Sequence, residues 1–347
     1  MTSAIDRRRF LASLPALVAA PRLLAQPAAA QIRVNGLSQL TLTVSDAQRS
    51  IDFYQGLFGM PIQARQGTTT LLRIGAGPRF LAIVPARAGE RPSISRFGMG
   101  VEQFDIDRVV STLARHGVTP ADPADAASAS GGALKVRVTT RGNTREVFVG
   151  DPSGIVFQLH DASYCGGTGP LGNVCEIQAA PKRGLIALKD MSHFTINATD
   201  PRTQGFYQET FGFGVRAYQA TTPGYAVGPG VHFLMFIGGG PAGARGGPPG
   251  GAPAGSRIDH ACMSLESFNV DGLLKTLADY GIKASENTGR SGGPLTSWVS
   301  LRLEARGGAP VTGTPELYFS DPDGLSIQLQ DTKYCGGGGY LGDSCIG

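Results

Sequence analysis

Apolar and polar positions alternate through Leu37-Ser38-Gln39-Leu40-Thr41-Leu42-Thr43-Val44, a stretch rich in β-branched residues, so it predicts a strand. Asp46 then offers a cap to a helix running through Ile51, Phe53, Tyr54 and Leu57 and stopping at Gly59. The same phrase returns as Met191-Ser192-His193-Phe194-Thr195-Ile196, followed by Asp200, Phe206-Tyr207 and Gly212. Short strands are expected after each helix, around 70–74 and 231–237. A second phrase follows in each half. A strand over 97–101 leads to a helix over 106–116 ended by Gly117, and a strand over 261–265 leads to a helix over 270–280 ended by Gly281. Each half then closes on strands ending at Gln158 or Gln328, giving four strand-helix-strands units in an α+β chain.

The ends of the two halves nearly coincide. Asp151-Pro152-Ser153-Gly154 runs on to Gln158, Tyr164-Cys165-Gly166-Gly167 and Cys175, and Asp321-Pro322-Asp323-Gly324 runs on to Gln328, Tyr334-Cys335-Gly336-Gly337 and Cys345. The offset is 170 residues throughout, which means two copies of one domain. We place the copies at 31–182 and 183–347, joined near 181–184. Copy two carries an insertion at 238–255, almost wholly Gly, Pro and Ala; such a composition buries too little apolar surface to order itself, so we read a flexible loop, with a lid role as the alternative.

Residues 1–30 stand apart. Arg7-Arg8-Arg9-Phe10-Leu11 opens an apolar run to Ala20, and Ala28-Ala29-Ala30 offers a small-residue cleavage site, the order of an export signal peptide. The paired arginines before Phe-Leu point to the twin-arginine type; an ordinary secretory signal or an uncleaved anchor are the alternatives, and Pro15 and Pro21 weigh against a membrane helix. The expected location is periplasmic or secreted. Removing the net +3 of Arg7, Arg8, Arg9, Arg22 and Asp6 from the whole-chain +4 leaves the mature protein near neutrality, with no basic patch to suggest nucleic acid. No later segment is long and apolar enough to span a bilayer as a helix. In an oxidising compartment, Cys165 with Cys175 and Cys335 with Cys345 read as local disulfides rather than metal ligands, since no histidine lies near them, and Cys262 reads as a buried free thiol.

Paired strand-helix-strands units ending in Asp-Pro-x-Gly resemble the vicinal oxygen chelate superfamily, which includes glyoxalase I, bleomycin-resistance proteins and type I extradiol dioxygenases. The resemblance spans about 37–331 and implies two tandem domains, each curling paired βαβββ units into a half-open barrel around a divalent metal. It places ligands on the first, fifth and last strands. In copy two those positions hold His193, His260 and Gln328; in copy one they hold Gln39, Arg96 and Gln158. Imidazoles suit Fe(II), Mn(II), Ni(II) or Zn(II), whereas an arginine cannot give up its proton to a metal. Copy one is therefore expected to be a degenerate, structural half.

The resemblance also assigns catalytic roles. Leu317-Tyr318-x-x-Asp321-Pro322-Asp323-Gly324 is similar to the extradiol signature, whose tyrosine touches bound catechol or oxygen, and copy one has Phe148 there. His232 matches the family's acid–base histidine on the fourth strand, with its counterpart near Thr69. Two departures bear on ring cleavage: the last-strand ligand is Gln328 rather than Glu, and the histidine preceding Leu-Tyr is missing, its place falling near Pro310. Alternation puts Glu316 on the face of Tyr318, making it, with Asp259 nearby, a candidate substitute carboxylate; His116 and His160 read as surface residues. The leading expectation is an exported, divalent-metal enzyme, most simply Fe(II), acting on a small molecule with two adjacent oxygens. The alternatives are a non-catalytic small-molecule binder of bleomycin-resistance type, and a purely structural tandem with a shared core.

Overall fold

The computed structural model describes residues 31–125, 128–238, 255–303 and 313–346. The expected export segment, and nearly all of the Gly/Pro-rich insertion, lie outside them. Copy one comprises β1 (Val34–Val44), α1 (Ala47–Phe58), β2 (Ile62–Gln66), β3 (Thr69–Arg73), β4 (Phe80–Pro85) and β5 (Ser93–Val101). It continues with α2 (Ile106–Arg115), β6 (Thr119–Pro120), β7 (Lys135–Arg141), β8 (Thr144–Gly150) and β9 (Val156–Asp161). Copy two repeats the order as β10 (Leu188–Asn197), α3 (Thr203–Phe211), β11 (Val215–Gln219), β12 (Thr222–Ala226), β13 (Phe233–Ile237) and β14 (Arg257–Leu265). It ends with α4 (Val270–Asp279), β15 (Lys283–Ala284), β16 (Thr296–Arg302), β17 (Thr314–Ser320) and β18 (Ser326–Asp331).

Each copy forms one open nine-stranded sheet, in the order β2-β3-β4-β1-β5-β9-β8-β7-β6 and its equivalent β11-β12-β13-β10-β14-β18-β17-β16-β15. Two strand-helix-strands units meet in each sheet along the antiparallel pairs β1–β5 and β10–β14, while β4 and β9 return parallel to the strands that open their units. These are the four expected units. β1 alternates in sequence like a half-buried strand, yet it is buried almost throughout. It lies mid-sheet, with the core against one face and the concave cup of the sheet against the other, so even its threonines are enclosed.

Local signals act where expected in α1: the Asp46 carboxylate accepts from the Arg49 N–H at 3.0 Å, and Gly59 closes the helix at φ 65°. Gly59 also abuts Gly184, so a Cβ would meet the Gly184 nitrogen at 2.4 Å. In copy two the expected cap fails. Asp200 turns its carboxylate to the backbone and guanidinium of Arg202, and α3 starts only at Thr203, without a side-chain cap.

The first helix of each copy packs on the other copy's sheet. Phe53 and Phe58 of α1 lie 6.1 and 5.9 Å from Phe319 of β17, and Phe206, Tyr207 and Phe211 of α3 surround Phe157 of β9. Phe97 meets Phe194 at 5.3 Å between the sheets. A single apolar core therefore runs through both copies, each fully buried ring contributing roughly 2–3 kcal/mol.

The exchange explains the repeated Asp-Pro-x-Gly motif. Asp151 accepts from the Ile155 N–H at 2.9 Å, pinning the turn before β9, and receives the Tyr207 hydroxyl of α3 at 3.3 Å. Asp321 does the same with the Leu325 N–H and Tyr54. Cys165–Cys175 and Cys335–Cys345 are disulfides, and Cys262 is a buried free thiol. His160, expected at the surface, is instead buried in the cup: it bonds Ser38 at 2.9 Å, stacks on Tyr164 and has its pKa pushed down to about 4 by burial. Among the described residues no helix is long and apolar enough to cross a membrane.

Candidate functional site

Strand pairing lines six residues of copy two into one row across the concave face. Phe233 on β13 pairs with His193 on β10, which pairs with Cys262 on β14, then Gln328 on β18, Tyr318 on β17 and Trp298 on β16. Direct partners in a sheet share a face, and His260, two residues from Cys262 on β14, shares it too. The row thus brings together His193, His260, Gln328 and Tyr318, one residue type from each strand the resemblance singled out.

The two imidazoles lie edge to face with ring centroids 5.6 Å apart. His193 is buried, stacked on Phe233 at 4.3 Å, and its Nδ1 bonds Ser192 at 3.2 Å. Burial first, then the charges of His260 and Arg302, hold its pKa well below the usual imidazole value, so it is neutral at neutral pH; the nearby Gln328 amide partly offsets this. His260 keeps its Nδ1 on the Asp259 carboxylate at 3.1 Å, which leaves Nε2 for another partner. Burial works against the charge on Asp259, but hydrogen bonding and charge from His260, together with Arg257, outweigh it and keep the carboxyl below its usual range.

Gln328 is the third member. It is 1% exposed, and neither Oε1 nor Nε2 makes a hydrogen bond of good geometry, although the amide lies against the His193 ring closely enough to raise its pKa. Leaving both ends of a buried amide unmade costs about 1–3 kcal/mol per group. A cation with bound water or substrate would satisfy it, so two imidazoles and this amide oxygen fit a divalent metal chemically. The donor set carries no negative charge. Among the described residues no three His, Cys, Asp or Glu side chains come together as a metal cage.

Tyr318 sits beside the pair, its ring 5.2 Å from His260, edge to face, and stacked flat on Trp298 at 5.3 Å. Its hydroxyl donates to Glu316 Oε2 at 3.1 Å; burial, then the Glu316 charge, keep the phenol protonated far above its usual range. Glu316 is not available as a substitute ligand. Its Oε1 already takes the Tyr334 hydroxyl at 2.7 Å and Arg302 Nε at 3.1 Å. Copy one repeats that arrangement as Tyr164, Arg141 and Glu146, which marks it as structural.

His232 is not part of the row. Phe233 takes the cup-facing place at the start of β13, so alternation turns His232 the other way, into the seam with copy one. There its Nδ1 accepts the Leu37 N–H at 3.1 Å and its Nε2 lies 3.4 Å from Asp190, which also pairs with Arg79. Strand register likewise makes Arg79, not Thr69, its counterpart, since Phe80 pairs with Gln39 as Phe233 pairs with His193. Trp298 and Phe233 escaped the sequence reading; the lone tryptophan was a signal of composition without a partner until β16 and β17 were paired.

Residues 36–159 match the family described as the Glyoxalase/Bleomycin resistance protein/Dioxygenase superfamily. That match covers copy one of the chain. Solved structures share its fold over both copies. A Mn(II)-bound glyoxalase from Novosphingobium aromaticivorans is 13% identical, with TM-score 0.55 over 86% of this chain and 82% of that one. A variant of homoprotocatechuate 2,3-dioxygenase from B. fuscum is 18% identical, with TM-score 0.56 over 88% and 74%. The 2,3-dioxygenase LapB from Pseudomonas sp. KL28 is 16% identical, with TM-score 0.54 over 86% and 93%. At these identities the likeness concerns the fold alone. The matched segment is copy one, where the register equivalents of His193, His260, Gln328 and Tyr318 are Gln39, Arg96, Gln158 and Phe148.

Proposed function

We propose that copy two is a divalent-metal enzyme site, Fe(II) being the first choice and Mn(II), Ni(II) or Zn(II) the others. It takes a small substrate through two adjacent oxygens, as an extradiol dioxygenase or glyoxalase would. The observation that carries this reading is the convergence of two imidazoles, 5.6 Å apart, on a buried amide that lies against His193 and makes no hydrogen bond of good geometry. Bound by His193, His260 and Gln328, the metal supplies Lewis-acid chemistry, or with iron a path to dioxygen. The chain's own residues do the rest. Asp259 fixes the tautomer of His260. Phe233, Tyr334 and Trp298 wall the cup and exclude water. The Tyr318 hydroxyl donates its hydrogen bond to Glu316, so its oxygen is free to accept a hydrogen bond from a substrate hydroxyl and to orient it.

The lack of a carboxylate in the donor set favours a second reading, a binding module without turnover. Metal analysis of protein purified without chelator separates the two. About one Fe, Mn, Ni or Zn per chain, lost in His193→Ala and in His260→Ala, supports the enzyme; metal-free protein that still binds aromatic ligands in the cup removes it. We also place the mature protein outside the cytoplasm, a reading supported by the Arg7-Arg8-Arg9-Phe10-Leu11 segment and by two disulfides of a kind that persist in oxidising compartments.

A further inference from the structure

We propose that the cup of copy one is a second ligand site, one that takes a carboxylate on Arg96. The equivalent row there reads Phe80, Gln39, Gly98, Gln158, Phe148 and Arg137, with Arg96 in the place of His260. A half kept only for packing would be expected to fill this face with apolar side chains. Instead Gln39, Thr41 and Gln158 are buried on it, and a guanidinium stands where copy two has an imidazole.

Half-buried Arg96 has no direct ion-pair partner, and only the charges of Glu146 and Tyr164, at a distance, offset its burial. Its guanidinium lies 5.5 Å above the Phe148 ring, and among the described residues no carboxylate pairs with it. Its Nε is enclosed without a hydrogen-bond partner, and so is Gln39 Oε1, although the Gln39 Nε2 bonds Thr41 at 2.7 Å. The acid on this face, Glu146, is taken by Arg141 at 3.0 Å and by Tyr164. Arg137, next to Phe148 in the row, adds a second guanidinium, held only by the backbone carbonyls of Asp122 and Asp125 and with its Nε also unpartnered. Buried charges are ordinarily paired, because removal from water costs more than a single ring contact returns. A carboxylate in the cup gives Arg96 the partner it lacks. With one face of the fork covered by Phe148, its edge remains, and that edge matches the two oxygens of a carboxylate. The Gln39 amide, turned either way, serves a neighbouring donor or acceptor. Both cups would then receive paired oxygens, copy two on a metal and copy one on a guanidinium.

The test uses the full mature chain with benzoate as probe and benzamide as its uncharged control, followed by ligand-observed NMR and by thermal melts. Benzoate should bind and raise the melting temperature, and benzamide should do neither. Arg96→Met should weaken benzoate on the order of 30-fold, while the ligand-free variant melts at or above the wild type, because a charge without a direct partner has been removed. Arg96→Lys keeps the charge without the flat fork and should bind more weakly than wild type. His193→Ala should bind benzoate as the wild type does, which separates this site from the metal cup. The proposal is overturned if wild-type protein does not bind benzoate, if Arg96→Met or Arg96→Lys binds it unchanged, if His193→Ala abolishes binding, or if ligand-free Arg96→Met melts well below the wild type.

Discussion

Asp259 shows how much one side chain decides. By holding Nδ1 of His260 at 3.1 Å it fixes which ring nitrogen faces the cup, and neither the metal reading nor any other use of that histidine works with the ring turned over. Asp259→Ala should leave the fold intact and weaken metal uptake about 10–100-fold, measured by competition with a chelator. Uptake equal to wild type would show that the ring is oriented by something else. The sequence singles out His193, His260, Gln328 and Tyr318 because the duplication supplies a control for each position, and strand register sets all four on one face. His232 was misread for a physical reason. Whether a residue at a strand entrance faces the cup or the seam depends on which neighbour takes the first paired position, and Phe233 takes it.

At the scale of elements, the Asp-Pro-x-Gly turns join each sheet to the opposite copy's first helix. Burial raises Asp151 to about 7 and Asp321 to about 6, against backbone N–H bonds that pull both down. A carboxyl whose folded pKa lies above its ordinary value holds its proton more tightly when folded. That stabilisation is complete below about pH 4 and is lost as pH rises through 6 and then 7. Stability should therefore fall between about pH 4 and pH 7, by up to about 1.4 kcal/mol per pH unit for each proton involved. Asp151→Asn, which keeps the acceptor for the Ile155 N–H, should flatten the upper part of that slope in urea titrations; an unchanged slope would place the linkage elsewhere. The strand-helix-strands pattern, both helix ends of α1 and the α2 and α4 helices could be read from periodicity and capping residues. The start of α3 could not, because Asp200 has a closer partner in Arg202 than the helix amides it was expected to cap.

For the whole molecule, the copies are not two beads on a string. Phe97 against Phe194, α1 against β17 and α3 against β9 make one core of two repeats. Each copy expressed alone would expose those aromatic faces, so either half should be insoluble or molten by near-ultraviolet circular dichroism, and co-expression should restore a soluble pair. A soluble, cooperatively folding C-terminal half would contradict this. The dependence also gives copy one a role in copy two's site regardless of any ligand of its own: its α1 braces β17, the strand that carries Tyr318 and Glu316.

The sequence by itself determined the duplication, the order of units, the cysteine pairs and the asymmetry between imidazoles in one copy and amide and guanidinium in the other, since each of these is a matter of periodicity or of residue identity at a fixed offset. Tertiary structure decided which side chains meet. Only strand register could set His193, Cys262, Gln328, Tyr318 and Trp298 in one row, commit Glu316 to Tyr334 and Arg302, and turn His232 and His160 into buried positions. Facing and burial depend on residues far apart in the chain, and alternation along a single strand does not say which face another strand will cover.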